Sequence, residues 1–348
     1  MSVKKQKRDE IRDFILWNIR NHPSDIVRFT LEKYKLSRPA ILRYIHNLVN
    51  DNSIEVIGST NNIRYSLKPL HISNNIYKLN TSLEEDRVWR NDVLPLFENI
   101  KENVEHICHY GFTEIFNNAI EHSEGTEIKT EISIWIDRII MEIADDGIGI
   151  FNKIQRQYNL EDPLHAILEL SKGKLTTNPT SHSGEGIFFT SRIFDSFRIG
   201  SGNLFFGHKT QDLFFETNQN IKGTIVTMEI SPTSKRTTKS VMDKFASNQD
   251  DYGFDKTIIP VELARYGNEN LISRSQAKRL LTRLEKFKTV AFDFGNVKFV
   301  GRAFADEIYR VFANSHPNIT ILSINASKAI QQLIDEIEGS NINKRIDL

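Results

Sequence analysis

Helical spacing of apolar residues predicts three helices at the start of the chain. The first runs from about residue 11 and ends at Pro23, and the second spans residues 25–34. The third follows Ser37, a favoured N-cap residue, and carries an apolar face formed by Ile41, Ile45, Leu48 and Val49. Alternating residues then predict a β-hairpin, with strands near 54–57 and 63–67 and a polar turn at 58–62.

Polar, Asn-rich residues 68–85 predict a connector, and a second boundary is expected between Ser231 and Asp251. Between them, the pattern predicts a helix over 112–123, a strand that ends at Asp145, and a strand over 222–230. Strands near 256–261, 289–294 and 319–324 alternate with helices over 273–284, 302–312 and 327–337. Such alternation is typical of a small α/β layer domain.

Length and composition fit a folded, multidomain protein. The chain has 348 residues, which at roughly 150 residues per domain predicts two or three domains. Lys and Arg together number 45, as do Asp and Glu, so any basic surface must be local. A basic N-terminus without an unbroken apolar stretch, and no span of about 18 apolar residues, lead us to expect a cytoplasmic protein without membrane association.

The first 67 residues carry a local excess of basic residues, with 12 Lys/Arg against 7 Asp/Glu. Three helices and a hairpin resemble a winged helix-turn-helix, and the segment LSRPAILRYIHNLVNDNSIEV resembles the recognition helix and first wing strand of bacterial winged-helix regulators. DNA is therefore an expected partner, although docking of another protein or dimerisation would use the same module. The candidate DNA-contacting residues, on the polar face of the third helix, are Ser37, Arg38, Arg43, Tyr44 and Asn47.

The stretch FTEIFNNAIEHS places Glu114 and Asn118 four residues apart, on the same side of the predicted helix. This geometry can direct an amide oxygen to Mg²⁺ and a carboxylate to a water or hydroxyl nucleophile. Taken alone, the pair also fits a solvated helix face.

Two glycine-containing stretches follow. In IIMEIADDGIGI a strand runs into Asp145, whose carboxylate can accept the amine hydrogen of adenine, while Gly147 and Gly149 allow a tight turn close to a ligand. An Asp-Gly hairpin turn is the alternative interpretation. In SHSGEGIFFTSRIFD, Gly184 and Gly186 precede a helical pattern, and a helix N-terminus favours phosphate oxygens.

Together these stretches resemble the N box, G1 box and G2 box of the GHKL ATPase/kinase superfamily. The resemblance implies ATP and Mg²⁺ as cofactors, Glu114 as general base, Asn118 as magnesium ligand and Asp145 as the adenine contact. It further implies that Thr224 lies near the adenine base and that four glycines shape the base pocket and the phosphate site. These glycines are Gly147, Gly149, Gly184 and Gly186. Residues 151–182 would form an ATP lid that carries Lys172 and Lys174.

Within this superfamily the chain differs from two branches, so that it resembles most the anti-sigma-factor kinase branch. No phosphoacceptor helix pair of sensor kinases precedes the N box, and only about 100 residues follow the pocket, too few for a gyrase-type transducer domain. The segment VAFDFGNVKFVGRAFADEIYRVF resembles the STAS-like domains related to anti-sigma-factor antagonists. Where those antagonists carry a phosphorylated serine, this chain has Arg302, Ala303 and Phe304.

The sequence thus predicts an α/β (α+β) multidomain protein. Residues 1–70 would form a winged helix-turn-helix, 71–235 a GHKL α/β sandwich with a mixed sheet and helices on one face, and 250–340 a STAS-like domain. We expect a regulator in which ATP occupancy or hydrolysis switches DNA binding and binding of a protein partner. A serine/threonine protein kinase acting on a separate protein is the alternative, and an ATP-dependent scaffold that forms a homodimer also remains open.

Overall fold

The computed structural model describes residues 3–59, 62–175, 184–246, 253–265 and 269–346. It is a mixed α/β structure with sheets of two, five and three strands, which confirms the predicted fold class. Along the chain these sheets belong to an N-terminal, a central and a C-terminal module.

The N-terminal module contains the predicted helices and hairpin. Its elements are α1 (Val3–Asn18), α2 (Ile26–Tyr34), α3 (Arg38–Asn50), β1 (Ile54–Ile57) and β2 (Arg64–Leu67), with β1 and β2 antiparallel. Ser37 occupies the N-cap position of α3, although its side chain accepts no capping hydrogen bond from the helix. The apolar faces of the helices enclose a separate core, against which Trp135 and Ile136 of the central module also pack.

The central module begins with β3 (His71–Lys78), in the segment predicted as a polar connector. That prediction was wrong: among the strands that the structure describes, β3 lies at the edge of its sheet, pairs with β4 and leaves Ile72 and Ile76 more than half exposed. An edge strand with one face in water tolerates the Asn and Ser residues that suggested a linker.

The rest of the central module builds one sheet with order β3-β4-β5-β7-β6. After the short α4 (Glu85–Val88) come α5 (Glu102–His122), β4 (Glu127–Ile134), β5 (Ile139–Asp145), α6 (Ile150–Gln157), α7 (Pro163–Lys172), α8 (Gly186–Ile193), β6 (Ser196–His208) and β7 (Asp212–Ile230). All four strand pairings are antiparallel, whereas a mixed sheet was predicted.

Helix α5 packs across β4, β5 and β7. Along β5 the alternate residues Ile139, Met141 and Ile143 are buried, because successive side chains of a strand point to opposite faces. This packing fixes α5 above the end of β5, the position at which Asp145 leaves the sheet.

After α9 (Thr238–Met242), the C-terminal module has a parallel sheet of order β10-β9-β8. Its elements are β8 (Lys256–Pro260), α10 (Arg274–Leu281), β9 (Thr289–Asp293), α11 (Arg302–Asp306), a π-helical turn (Glu307–Phe312), α12 (Ala313–Ser315), β10 (Thr320–Ile324) and α13 (Lys328–Ile346). These elements agree with the predicted alternation. The central and C-terminal modules share one continuous apolar core.

Candidate functional site

A cavity of about 480 Å³ lies between α5, the end of β5, α6 and the start of α8. Seven of the predicted site residues line it, although they come from four separate stretches of the chain: Glu114, Asn118, Asp145, Gly149, Gly184, Gly186 and Thr224. The cavity is large enough for a small-molecule ligand.

Glu114 and Asn118 both face the cavity from α5, as their spacing of four residues predicted. The Glu114 carboxylate lies beside the first residue of α8, because a Cβ atom built on Gly186 would be only 1.9 Å from Glu114 Oε2. A carboxylate in this position is stabilised by the positive end of the helix. A side chain at position 186 would therefore push the Glu114 carboxylate away from the start of α8.

Asp145 is the last residue of β5 and is held by backbone donors. Its Oδ1 accepts hydrogen bonds from the N–H groups of Gly147 (2.9 Å) and Thr224 (3.3 Å), its partner across the β5–β7 pairing. Burial nevertheless raises the pKa of Asp145 above the ordinary carboxyl value. The Thr224 side chain also forms a hydrogen bond with this carboxylate. Asp145 lines the cavity, where a donor group of a ligand can reach it.

The turn after Asp145 depends on two glycines and on Thr224. Gly147 does not line the cavity; a Cβ atom there would meet the Ser123 carbonyl oxygen at 1.9 Å. Gly149 has φ +85°, a conformation that favours glycine, and is followed at once by α6. Thr224 Oγ1 accepts a hydrogen bond from Ile150 N at 3.0 Å, which fixes the start of α6 against β7.

The third stretch supplies the N-terminus of α8. Gly184 has φ +73°, and its carbonyl accepts a hydrogen bond from Leu175 N at 3.0 Å. Gly186 then begins the helix, so the start of α8 lines the same cavity as Glu114 and Asn118. Residues 181–183 of this stretch lie outside the described residues. An anionic group of a ligand can bind at such a helix start.

The lining residues that the structure describes make the cavity acidic. Carboxylates come from Glu114, Asp145, Glu185 and Asp243, and Lys153 contributes an ammonium group. A phosphate-bearing ligand would therefore require a bound cation, since like charges repel strongly in a partly buried site.

Sequence reasoning missed several lining residues. Lys153, on α6, donates hydrogen bonds to the His122 carbonyl (2.7 Å) and to Glu124 Oε1 (3.1 Å). Tyr110 lies one turn before Glu114 on α5, and burial raises the pKa of its hydroxyl. The helical spacing from Glu114 could have indicated Tyr110, whereas Lys153 follows the glycine motif and resembles any surface lysine.

Part of the predicted boundary at 231–251 also lines the cavity. Met242, Asp243 and Ala246 contribute from that segment, and Gly253 and Phe254 from the residues that lead into β8. Residues 247–252 lie outside the described part of the chain. The link between the central and C-terminal modules therefore forms one wall of the site.

The predicted lid contains α6 and α7, and its residues 176–182 are outside the described ranges. Both lysines singled out there bond to the C-terminal module. Lys172 Nζ donates to the carbonyls of Arg279 and Thr282, and Lys174 Nζ donates to the carbonyl of Lys286. In this structure neither lysine lines the cavity.

The candidate DNA-contacting residues lie on α3 or, for Ser37, at its N-cap, and they do not line this cavity. Ser37, Arg38, Arg43 and Asn47 are exposed, as a polar helix face requires. Tyr44 is half-buried and packs against the N-terminal core, so its ring stabilises the module itself.

Comparison with known proteins identifies the C-terminal module. Residues 276–331 match the family model of a STAS-like domain of unknown function (DUF4325), which confirms the predicted STAS-like domain for this segment. The searches of curated proteins and of solved structures found no match. Among the helices that the structure describes, none combines the length and apolar character needed to cross a bilayer.

Proposed function

We propose that this chain is an ATP-binding regulator of the GHKL type, in which nucleotide occupancy or hydrolysis controls a DNA-binding N-terminal module and a partner-binding C-terminal module. The observation that carries the proposal is the convergence of Glu114, Asn118, Asp145, Gly186 and Thr224 on one cavity. The sequence stretches that contain them resemble the GHKL boxes in order and spacing, and a shared ligand explains why residues this far apart in the chain meet.

The polar groups that line the cavity are suited to bind ATP·Mg²⁺. Asp145, with Oδ1 held by backbone donors, would accept the exocyclic amine of adenine, and the start of α8 at Gly186 would face phosphate oxygens. Asn118 offers a neutral oxygen ligand for Mg²⁺, and the cation would offset the repulsion between phosphate and Glu114. Glu114 would then be the acceptor for a proton from the nucleophile.

Two features support the roles of the flanking modules. Arg38 and Arg43 stand exposed on α3, where they can contact phosphates of a duplex. The C-terminal module matches a STAS-like family, a type of domain associated with protein interactions, so a protein partner is proposed there.

The alternative is a serine/threonine kinase whose substrate is a separate protein. It is favoured by the absence of a hydroxyl at Arg302, Ala303 and Phe304, where an internal phosphoacceptor would be expected. In that case the two flanking modules would dock the substrate.

The deciding experiment is incubation of the purified chain with ATP labelled at the γ-phosphate, alone and with cell lysate. Hydrolysis predicts label in free phosphate, and the kinase alternative predicts label on a protein band. Both signals should disappear in Glu114→Ala if they arise from this site. Absence of ATP binding by calorimetry would refute the proposal in both forms.

A further inference from the structure

Helix α7 lies between the cavity and the C-terminal module. Every residue from Leu164 to Lys172 is buried, which is unusual for a helix in a predicted lid. Leu170 lines the cavity, while the helix contacts β8 and the turn Val261–Ala264 of the C-terminal module. A shift of the C-terminal module must therefore disturb α7.

A buried lysine joins the two modules. The Lys172 side chain is only 2% exposed, and its Nζ donates to Glu169 Oε1 (2.6 Å) and to the carbonyls of Arg279 (3.1 Å) and Thr282 (2.9 Å) at the end of α10. Its own carbonyl accepts from the buried Thr257 Oγ1 of β8 at 2.7 Å. Removing a buried charge from its partners is costly, so this arrangement holds the modules in one relative position.

A second series of contacts continues from this lysine to the glycine stretch. The Arg283 guanidinium donates hydrogen bonds to Glu169 Oε2 (3.2 Å) and to the carbonyl of Lys174 (3.0 Å). The next residue, Leu175, donates to the Gly184 carbonyl at 3.0 Å, two residues before α8 begins. The C-terminal module thus reaches the start of α8 through hydrogen bonds over a few residues.

Aromatic packing strengthens the same junction. Phe254 lines the cavity. The centroid of its ring is 4.6 Å from the ring centroid of Phe188 on α8 and 5.4 Å from that of Phe287, which follows the turn after α10. Phe254 also packs against Gly173, where a Cβ atom would approach its ring to 2.5 Å. One side chain therefore touches the cavity, α8 and the C-terminal module.

We propose that docking of the C-terminal module through Lys172, Glu169 and Arg283 sets the geometry of the phosphate end of the cavity, so that nucleotide binding and docking reinforce each other. This inference rests on the proposed ATP-binding function. Coupling of this kind is reciprocal: if docking strengthens ATP binding, ATP must strengthen docking by the same factor. A protein that competes for α10 would then lower ATP affinity from outside the pocket.

The test uses the full-length chain and compares Lys172→Met with Lys278→Met, a matched change on the exposed side of α10. Calorimetry gives the Kd of ATP·Mg²⁺, and hydrogen exchange reports protection of residues 274–287 with and without nucleotide. We expect ATP to slow exchange in α10 of the wild type and of Lys278→Met. Lys172→Met should lose this protection and bind ATP about 5-fold or more weakly, the lower end of typical coupling.

Arg283→Met provides a second variant, should Lys172→Met fail to fold, because it leaves the buried Lys172–Glu169 pair intact. The same loss of coupling is expected from it. If the wild type binds ATP but α10 exchange does not respond and the variants keep wild-type affinity, the coupling is refuted while the ATP site stands. If the wild type does not bind ATP, the proposed function itself fails.

Discussion

Replacement of Asp145 by Asn is the most direct test of the cavity as an adenine site. In the wild type, Oδ1 accepts hydrogen bonds from the backbone N–H groups of Gly147 and Thr224. The Asn side chain has one oxygen, and these two donors would bind it. The amide NH₂ group would then occupy the position of Oδ2. If adenine binds there, as we propose, the variant would present a donor to the amine of adenine, which is itself a donor.

The size of the effect follows from this geometry. A hydrogen bond to a charged acceptor contributes about 1.5–3 kcal/mol. Its loss alone corresponds to roughly a 10-fold to 150-fold rise in Kd, at about 1.4 kcal/mol per factor of ten. Because two donors would also oppose each other, we expect the upper part of this range for Asp145→Asn. The fold should survive, since the backbone donors of Gly147 and Thr224 keep an acceptor.

The assay is a calorimetric titration with ATP·Mg²⁺, with circular dichroism to verify the fold. Asp335→Asn, on the exposed surface of α13, is the matched control because it makes the same chemical change at a residue that does not line the cavity. GTP offers a second control, because its six-position oxygen is an acceptor, so the Asp145→Asn variant should discriminate less between the two nucleotides. An unchanged Kd for ATP in folded Asp145→Asn would show that adenine binding does not use this carboxylate.

Further tests address the proposed base, the DNA contacts and the pH dependence of binding. Glu114→Ala should retain ATP binding and lower turnover by about 10²-fold to 10⁴-fold, the usual contribution of a general base, whereas Glu102→Ala on the same helix should not; equal rates would contradict the role of Glu114. Arg38→Ala combined with Arg43→Ala should reduce the slope of log DNA affinity against log salt by about 0.9 per lost contact, measured by fluorescence anisotropy, with ATP affinity unchanged; an unaltered slope would argue against contacts on α3. ATP affinity should fall as the pH is lowered, because protonation of Asp145 removes the charged acceptor. Since burial raises the pKa of Asp145, this fall should begin at a higher pH than for an ordinary carboxyl group, and it should be absent in Asp145→Asn.

The elements that the sequence predicted well have strong local patterns. Helix α3 combines an N-cap position, a proline in its first turn and a regular apolar face, so its start at Arg38 could be located closely. The end of β5 was equally clear, because buried residues alternate up to Asp145 and glycines follow. At both positions local sequence and tertiary packing favour the same structure.

Elsewhere the pattern was ambiguous because tertiary contacts decide the structure. Strand β3 is stabilised by pairing with β4 and could not be distinguished from a polar linker. Lys172 and Glu169 resembled exposed lid residues, since long charged side chains are mostly exposed; the burial of Lys172 depends on carbonyls of α10 more than 100 positions away. Phe254 likewise could not be predicted to line the cavity, because its position depends on the packing of the C-terminal module against α7, which joins residues far apart in the sequence.

The two flanking modules meet the central sheet at different places, which makes their roles separable. The turn before β5 carries Trp135 and Ile136, which pack on the N-terminal core, and Arg20 pairs with Glu229 of β7 at 3.0 Å. The opposite end of β5 carries Asp145 and the cavity, close to the junction with the C-terminal module. Strand β5 is hydrogen-bonded on both edges and spans seven residues, or about 20 Å. Disruption of the Lys172 junction should therefore alter ATP affinity and leave DNA affinity in the absence of nucleotide unchanged, because the contacts that hold the N-terminal module lie at the far end of a rigid strand.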